Sequence, residues 1–530
     1  GVPPAGAAQP GRAESERDVV TPHYVDDWLT VYQGHVVDVV AALPSESVHC
    51  VVTSPPYWGL RDYGLPPQVW GGDAEHEHEW DGAAVPVERG PGGNWTQAAN
   101  GPQLATGKVQ TRFKGDVRAA RENTERTFAT IASCPCGAWL GSLGLEPTPE
   151  MWVEHLVVVF REIWRVLRRD GTVWLNVGDA YAHATSGGGG AVDDRSDGRR
   201  TTPGDQVRGR LGNVNTLTLG LKPKDLLGMP WRLAFALQAD GWYLRSDIVY
   251  SKPNPMPESV TDRPTRSHEY VFLLSRSPRY FYDADAVREP VREPWRGQDH
   301  HESSTPHAGR LDDERKEQAA FTVARRVYHP AGRNLRSVWT IATQAYPGAH
   351  FATFPEALPE VCIKAGTSER GVCPECGAPW VRETKRTPMV IRESGRREDV
   401  GGQATFAGRT AASGTMVSPA SSKTIGWRPT CAHYPRTAEW RELPSRSPDE
   451  PMLDYEARCA PVRELQTELL DLWAPLASVP AVVLDCFAGS GTVGLVAQRL
   501  SRRAILIDLS IEYMTQLLHR NRQVPLGVLG

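Results

Sequence analysis

The sequence predicts an α/β protein built on a doubly wound, mostly parallel sheet, and three stretches carry that prediction. Residues 31–56 read as strand, helix, strand; residues 150–177 read as an amphipathic helix and a strand; residues 481–520 alternate strand, helix, strand, helix. Strands that alternate with helices need crossover connections, which produce a parallel sheet with helices on its faces. A chain of 530 residues is too long for one core, so further units must accompany the sheet.

Composition narrows the class. Apolar residues make up 40% of the chain and no apolar run approaches the length of about 18 residues that crosses a bilayer. Residues 1–17 are rich in Ala, Pro and Gly and lack the apolar centre of a signal peptide, so a cytoplasmic protein is expected. The net charge of −4 does not advertise nucleic-acid binding, but local patches decide phosphate contact. Two basic runs stand out: Lys108, Arg112, Lys114, Arg118, Arg121 and Arg126, then Arg325, Arg326, Arg333 and Arg336. Either run alone reads more simply as a solvated face.

Taken in order, residues 36–43 are helical in pattern, and Val-His-Cys-Val-Val-Thr at 48–53 is a buried strand that stops at Ser-Pro-Pro. Residues 71–127 are polar and aperiodic, which marks an insertion. In the helix at 150–167, Trp152, Leu156, Val159, Ile163 and Leu167 recur every three or four residues, and Asp170-Gly171 is expected to turn the chain into a strand at 172–177. Residues 186–211, with four consecutive glycines, read as a flexible loop. A helix at 230–240, strands at 242–250 and 269–275, a helix at 354–365 and a polar insertion at 382–424 follow. The chain ends with strands at 481–484 and 504–507 and helices at 492–500 and 511–520.

The strand–helix junction at 484–492 carries a ligand signal. Leu484-Asp485-Cys486-Phe487-Ala488-Gly489-Ser490-Gly491-Thr492 places glycines where the backbone must approach a ligand at a helix N-terminus. Gly489, Gly491 and Gly494 also satisfy G-x-G-x-x-G, which makes a dinucleotide-binding oxidoreductase the competitor. An acid at the strand end suits a charged amino-acid group and disfavours a pyrophosphate. Phe487 offers an apolar surface beside a sulfonium or an adenine, and Asp508 closes the next strand in reach of ribose hydroxyls. Asp485, Phe487, Gly489, Gly491, Thr492 and Asp508, with Thr53, are the candidate cofactor-binding residues.

Ser54-Pro55-Pro56-Tyr57 follows a buried strand and suits attack by an exocyclic amine, whose lone pair is delocalised into its ring. The Ser54 hydroxyl and the Pro55 carbonyl can accept the two N–H bonds and free that lone pair, while the prolines fix the carbonyl direction. Tyr57 can stack on a base extruded from a duplex. By itself the tetrapeptide is as readily a strand-ending turn; joined to the Asp485 loop it is not.

These two motifs resemble those of the beta-class DNA amino-methyltransferases. Asp485-Cys486-Phe487-Ala488-Gly489-Ser490-Gly491-Thr492 is similar to their S-adenosylmethionine loop, with Cys486 where the family usually has Pro. Ser54 to Tyr57 resembles their catalytic motif in its cytosine-N4 form, the adenine-N6 form starting more often with Asp. The catalytic motif precedes the cofactor loop, which is the circularly permuted order of that class. Segments 174–179, 252–255, 266–270 and 350–367 resemble further family segments, whereas Gly34-His35 stands where relatives have Gly-Asp. The resemblance implies a Rossmann-like methyltransferase sheet, S-adenosylmethionine as cofactor and double-stranded DNA as partner. A cognate restriction endonuclease and a homodimer are left open.

Two sets of metal-ligand types remain. Cys373-x-x-Cys376 with Cys431-x-His433 has the composition of a structural zinc knuckle, and His76-x-His78 with Cys134-x-Cys136 brackets the polar insertion. Pro135-Cys136 also invites a cytosine-C5 thiolate reading, set aside because amine methylation needs no covalent nucleophile.

The expected organisation is a tail at 1–20, catalytic segments at 21–70, 138–283, 349–370 and 436–530, zinc-stapled insertions at 71–137 and 371–435, and a target-recognition region at 284–348. The expected activity is cytosine-N4 methylation of DNA. The alternatives are adenine-N6 methylation and a zinc-containing DNA-binding protein whose catalytic core has decayed.

Overall fold

The structure, a computed structural model, describes residues 20–59, 65–73, 76–80, 87–89, 95–97, 132–182, 221–222, 224–289, 332–344, 355–387, 390–392, 415–418, 421–447 and 450–522. The basic run at 108–126, the Gly-rich loop at 186–211, Arg325, Arg326 and most of 284–348 lie outside them. The chain divides into two compact units. One comprises Gly1–Phe281, Ser337–Gly366 and Val482–Gly530; the other comprises Tyr282–Arg336 and Thr367–Ala481.

The first unit holds the large sheet. Its strands are β1 (Tyr24–Val25), β2 (Leu29–Gln33), β3 (Val48–Thr53), β4 (Leu167–Val177), β5 (Tyr243–Ser251), β6 (His268–Ser275), β7 (Val338–Thr340), β8 (Val482–Asp485) and β9 (Arg503–Asp508). They lie in the order β1-β2-β9-β8-β3-β4-β6-β5-β7. The run from β2 to β4 is parallel, β6 pairs antiparallel with β4 and β5, and β5 pairs parallel with β7. The sheet is therefore mixed and mostly parallel.

Helices cover both faces. On one side lie α1 (Val36–Ala42), α2 (Pro149–Val166) and α3 (Met229–Ala239). Thr148 caps α2 by accepting the Met151 amide at 3.1 Å, with Pro149 opening the first turn, and Trp152, Leu156, Val159, Phe160 and Ile163 are buried along one stripe. The other side carries α4 (Ala357–Gly366), α6 (Thr492–Arg499) and α7 (Ile511–Asn521). Strand β3 shows why it reads as continuously apolar: Val51 belongs to the core under α1 and α2, and Cys50 faces Gly366 of α4, where a Cβ would come within 2.8 Å of its sulfur.

Two local expectations change. Asp170-Gly171 does not precede the strand; it sits inside β4, where residues 168–171 bulge between the pairs Val48–Leu167 and Cys50–Thr172. Residues 338–340, expected within the target-recognition region, form the edge strand β7.

The second unit is built on an antiparallel pair, Trp380–Thr387 with Ser421–Pro429, where a polar insertion at 382–424 was expected. Helix α5 (Met452–Trp473), absent from the sequence expectation, packs on it, with Trp380, Leu469, Leu470 and Trp473 forming a small core. Residues 452–473 thus lie in this unit, on the side of the 435/436 boundary assigned from sequence to the catalytic segment.

Candidate active site

The carboxyl ends of β3, β8 and β9 are adjacent, and the two motifs meet there. Thr53, the last residue of β3, donates its hydroxyl to Asp485 Oδ1 at 2.8 Å, across 432 residues of sequence. The same oxygen accepts the Phe487 amide at 3.1 Å. Asp485 is buried and its other oxygen, Oδ2, has no partner among the described residues. Burial, only partly offset by Thr53 and the Phe487 amide, raises its carboxyl to about 7. An orphaned, buried acid oxygen of this kind fits a cationic ligand that also donates a hydrogen bond.

The loop around it is shaped by glycine. Gly489 has φ +51° and a Cβ there would meet nothing within 4 Å, so its outer side is open. Its amide donates to Asp508 Oδ2 at 2.7 Å, and the Ser510 amide donates to Asp508 Oδ1 at 2.8 Å. Burial raises Asp508 to about 6 against the pull of these amides. Gly491, at φ +71°, caps α6, and a Cβ there would lie 2.5 Å from Leu517. Its role is therefore close packing on α7. The Thr492 hydroxyl faces inward, accepting from Arg520 Nη1 at 2.8 Å, and Arg520 in turn donates to Glu356 at 3.1 Å. The Gly34 amide, next to His35, donates to the Asp508 carbonyl at 3.2 Å.

The Ser54 loop stands on the neighbouring strand. Ser54 is half-buried, and its hydroxyl donates to Tyr57 Oη at 3.2 Å. Tyr57 Oη donates to Glu269 Oε2 at 3.1 Å and accepts from Asn176 Nδ2 at 2.7 Å. Asn176 also donates to Glu269 Oε2 at 3.0 Å, and the Lys252 ammonium pairs with Glu269 Oε1. Burial works against the Glu269 charge, yet Lys252, Asn176 and Tyr57 outweigh it and hold the carboxyl below its usual value. The Pro56 carbonyl accepts the Trp152 indole N–H at 2.9 Å, and no described residue donates to the Pro55 carbonyl. A line of polar atoms thus runs Ser54, Tyr57, Glu269, Lys252, leaving the lone pairs of Ser54 and the Pro55 carbonyl as acceptors.

The sequence marks Lys252 and Glu269 only within segments that resemble family motifs near the target base, and Asn176 only within the strand after the catalytic one; it gives none a role of its own. Their signal is weak: each is a single polar residue within or just beside a strand.

Both metal-type clusters assemble. In each, the four candidate ligand atoms lie within 4.8 Å of one another: His76, His78, Cys134 and Cys136 in the first unit, and Cys373, Cys376, Cys431 and His433 in the second. Each is built on a tight turn that a glycine amide closes, over three residues in the first and four in the second. The Gly137 amide returns to the Cys134 carbonyl at 2.8 Å and Gly377 to Cys373 at 2.8 Å, with both glycines at positive φ (+89° and +68°). Two thiols and two imidazoles, or three thiols and one imidazole, gathered this tightly fit tetrahedral zinc. Of the second basic run, Arg333 and Arg336 both pair with Glu289, at 2.6 and 3.0 Å.

Comparison with known proteins agrees with this geometry. The type II methyltransferase M.XycI of Xanthomonas campestris pv. cyanopsidis is 37% identical over 339 residues, 64% of this chain and 72% of that protein. M.SmaI of Serratia marcescens, also a type II methyltransferase, is 35% identical over 339 residues, 64% of this chain and 75% of that protein. The solved PvuII DNA methyltransferase (cytosine-N4-specific) aligns over 94% of this chain and 88% of its own at 12% identity, with a TM-score of 0.38, a likeness too loose to carry an inference. The family described as DNA methylase matches residues 48–373 and 476–519, which takes in both the Ser54 loop and the Asp485 loop: the chain belongs to the DNA methylase family.

Proposed function

We propose that the protein is a site-specific DNA methyltransferase that transfers a methyl group from S-adenosylmethionine to the N4 amine of cytosine, with the base flipped out of the duplex. The observation that carries this reading is the buried Thr53–Asp485 hydrogen bond, which joins the amine-accepting loop to the glycine-rich loop. S-adenosylmethionine, when bound, supplies an electrophilic methyl group on a sulfonium. Asp485 and Asp508, with Phe487, Gly489, Gly491 and Thr492 shaping the loop and Thr53 holding Asp485, would bind it. The motif order is the circularly permuted one.

In the acceptor half, Ser54 and the Pro55 carbonyl take the two amine N–H bonds. Because the Ser54 proton is engaged by Tyr57, its lone pairs point toward the amine; Tyr57 is itself held by Asn176 and Glu269. Pro56 fixes the loop and the Tyr57 ring stacks on the base. Cytosine is preferred because Ser54 is a neutral acceptor where the adenine form more often has a carboxylate. Zinc is proposed at both Cys/His sets as a structural ion. The catalytic segments and target-recognition region follow the division read from sequence, except that residues 338–340 join the large sheet and residues 452–473 belong to the second unit. Relatives named type II methyltransferases support a restriction–modification setting with a cognate endonuclease as companion.

The test is product identification. Unmethylated DNA incubated with protein and S-adenosylmethionine is digested to nucleosides and weighed by mass spectrometry. N4-methyldeoxycytidine is expected, and Ser54→Ala should abolish it while leaving cofactor affinity unchanged. N6-methyldeoxyadenosine would overturn the base assignment, and a Ser54→Ala variant that loses cofactor binding equally would overturn the role of Ser54.

A further inference from the structure

Behind the Ser54 loop lies a buried titratable pair that the proposed chemistry does not use. Glu146 is 1% exposed and His155, on α2, 7%. Their side chains hydrogen-bond at 3.1 Å between Oε1 and Nδ1, and Glu146 Oε2 accepts the Gly144 amide at 2.8 Å. A carboxyl group removed from water is costly unless its lone pairs are used, so its retention here calls for a reason.

The surroundings supply one. The Glu146 carbonyl accepts the Trp58 indole N–H at 2.9 Å, and the Gly144 carbonyl accepts the Gly59 amide at 2.8 Å. Gly144 has φ +94°, and a Cβ there would lie 3.1 Å from Pro56 Cβ and 3.2 Å from the Tyr57 carbonyl. From α2, three residues before His155, Trp152 donates to the Pro56 carbonyl at 2.9 Å. Pro56, Trp58 and Gly59 are therefore each hydrogen-bonded to the segment that Glu146 and His155 tie together, and Gly144 of that segment packs closely on Pro56 and Tyr57.

His155 is itself held. Its ring stacks between Trp70, at 5.2 Å, and Trp139, at 5.5 Å. Trp70 and Trp139 are cross-strand partners in the small sheet formed by Gln68–Trp70 and Trp139–Gly141. The His76, His78, Cys134 and Cys136 set lies just beyond the ends of these same strands in sequence.

We infer that Glu146 and His155 are positioning residues for the amine-accepting loop, linking the Trp70–Trp139 sheet to Pro56–Gly59 and so fixing the direction in which Ser54 and the Pro55 carbonyl face the amine. This rests on the role proposed above for Ser54 and Pro55; the pair acts through the loop.

Full-length Glu146→Ala and Glu146→Gln are compared with wild type on the same unmethylated DNA. Three quantities are read: kcat, the Kd for S-adenosylmethionine by calorimetry, and hydrogen exchange of the Gly59 amide. In Glu146→Ala kcat should fall by about ten-fold or more, as misorientation of a reacting group does. Cofactor Kd should stay within about two-fold, and Gly59 should exchange faster while β8 and β9 keep their protection. Glu146→Gln should recover part of the rate, because its amide oxygen still accepts from Gly144. An unchanged kcat in Glu146→Ala overturns the inference, as does lost protection throughout β8 and β9 with cofactor affinity falling in step, the mark of general destabilisation. Where the alanine variant does not fold, a Gln variant with wild-type kcat and faster exchange at Gly59 overturns it, and lowered kcat at unchanged cofactor Kd supports it. A wild-type protein that binds S-adenosylmethionine yet methylates no DNA overturns the proposed function, a result distinct from any of these.

Discussion

At the scale of residues, Asp485 holds the largest tension in the site. Its carboxyl is raised from an ordinary 3.8 to about 7 because burial strips it of water and leaves one oxygen unpartnered. A group that binds its proton more tightly folded than unfolded gives full stability below the unfolded value, and that stability is lost as pH rises toward 7. The cofactor-free protein should therefore weaken between about pH 4 and pH 7, by on the order of 4 kcal/mol from this carboxyl alone. Asp485→Asn keeps an acceptor for Thr53 and Phe487 but cannot ionise. Its melting temperature, followed by calorimetry, should exceed wild type at pH 8 and converge with it near pH 5, while S-adenosylmethionine binding is lost. Parallel melting curves for the two proteins across that range would refute the assignment. This residue was legible in the sequence because its loop is contiguous and punctuated by glycines. Lys252 and Glu269 were legible only as members of segments that resemble the family, and Asn176 only as part of a strand. Their meaning lies in Asn176 and Glu269 meeting at Tyr57 with Lys252 on Glu269, and no local pattern encodes that convergence.

At the scale of elements, regular strands and helices were readable wherever one face or both faces are buried. Strand β3 spans the residues its apolar run marks out, α2 differs from expectation by a residue at each end and α6 by a residue at one. What stayed hidden had mixed patterning. The strand Trp380–Thr387 opens with Trp and Val and continues through Arg382, Glu383 and Lys385, which reads as polar because Arg382 is neutralised by Asp283 and Glu369 rather than by solvent. In α5, Pro461 interrupts the helical signal. The end of β4 offers a test of how strands set the site. Gly178 follows β4, and a Cβ there would lie 2.4 Å from Tyr57 Cε2, so the glycine makes room for the Tyr57 ring. Gly178→Ala should displace that ring, lowering methyl transfer by about ten-fold or more and costing about 1–3 kcal/mol in urea unfolding. Retention of full activity would mean that the ring position is not required.

At the scale of the whole molecule, each compact unit contains its own Cys/His set built on a related turn, Cys134-Pro135-Cys136-Gly137-Ala138 in one and Cys373-Pro374-Glu375-Cys376-Gly377-Ala378 in the other. Both turns lead to a buried tryptophan, Trp139 and Trp380. A small sheet or an isolated hairpin is marginal by itself in water, and a structural ion that ties its ends supplies stability directly as folding free energy. If both sets bind, elemental analysis of the purified chain should give about two equivalents of zinc. Cys136→Ser and Cys376→Ser should each remove about one, from different units, and a strong chelator should lower the melting temperature of wild type more than that of either variant. A single equivalent that survives Cys136→Ser and is lost in Cys376→Ser would confine the metal to the second unit, leaving Trp70 and Trp139 to hold His155 by packing alone. No zinc at all would mean that eight convergent side chains are held by their turns without an ion.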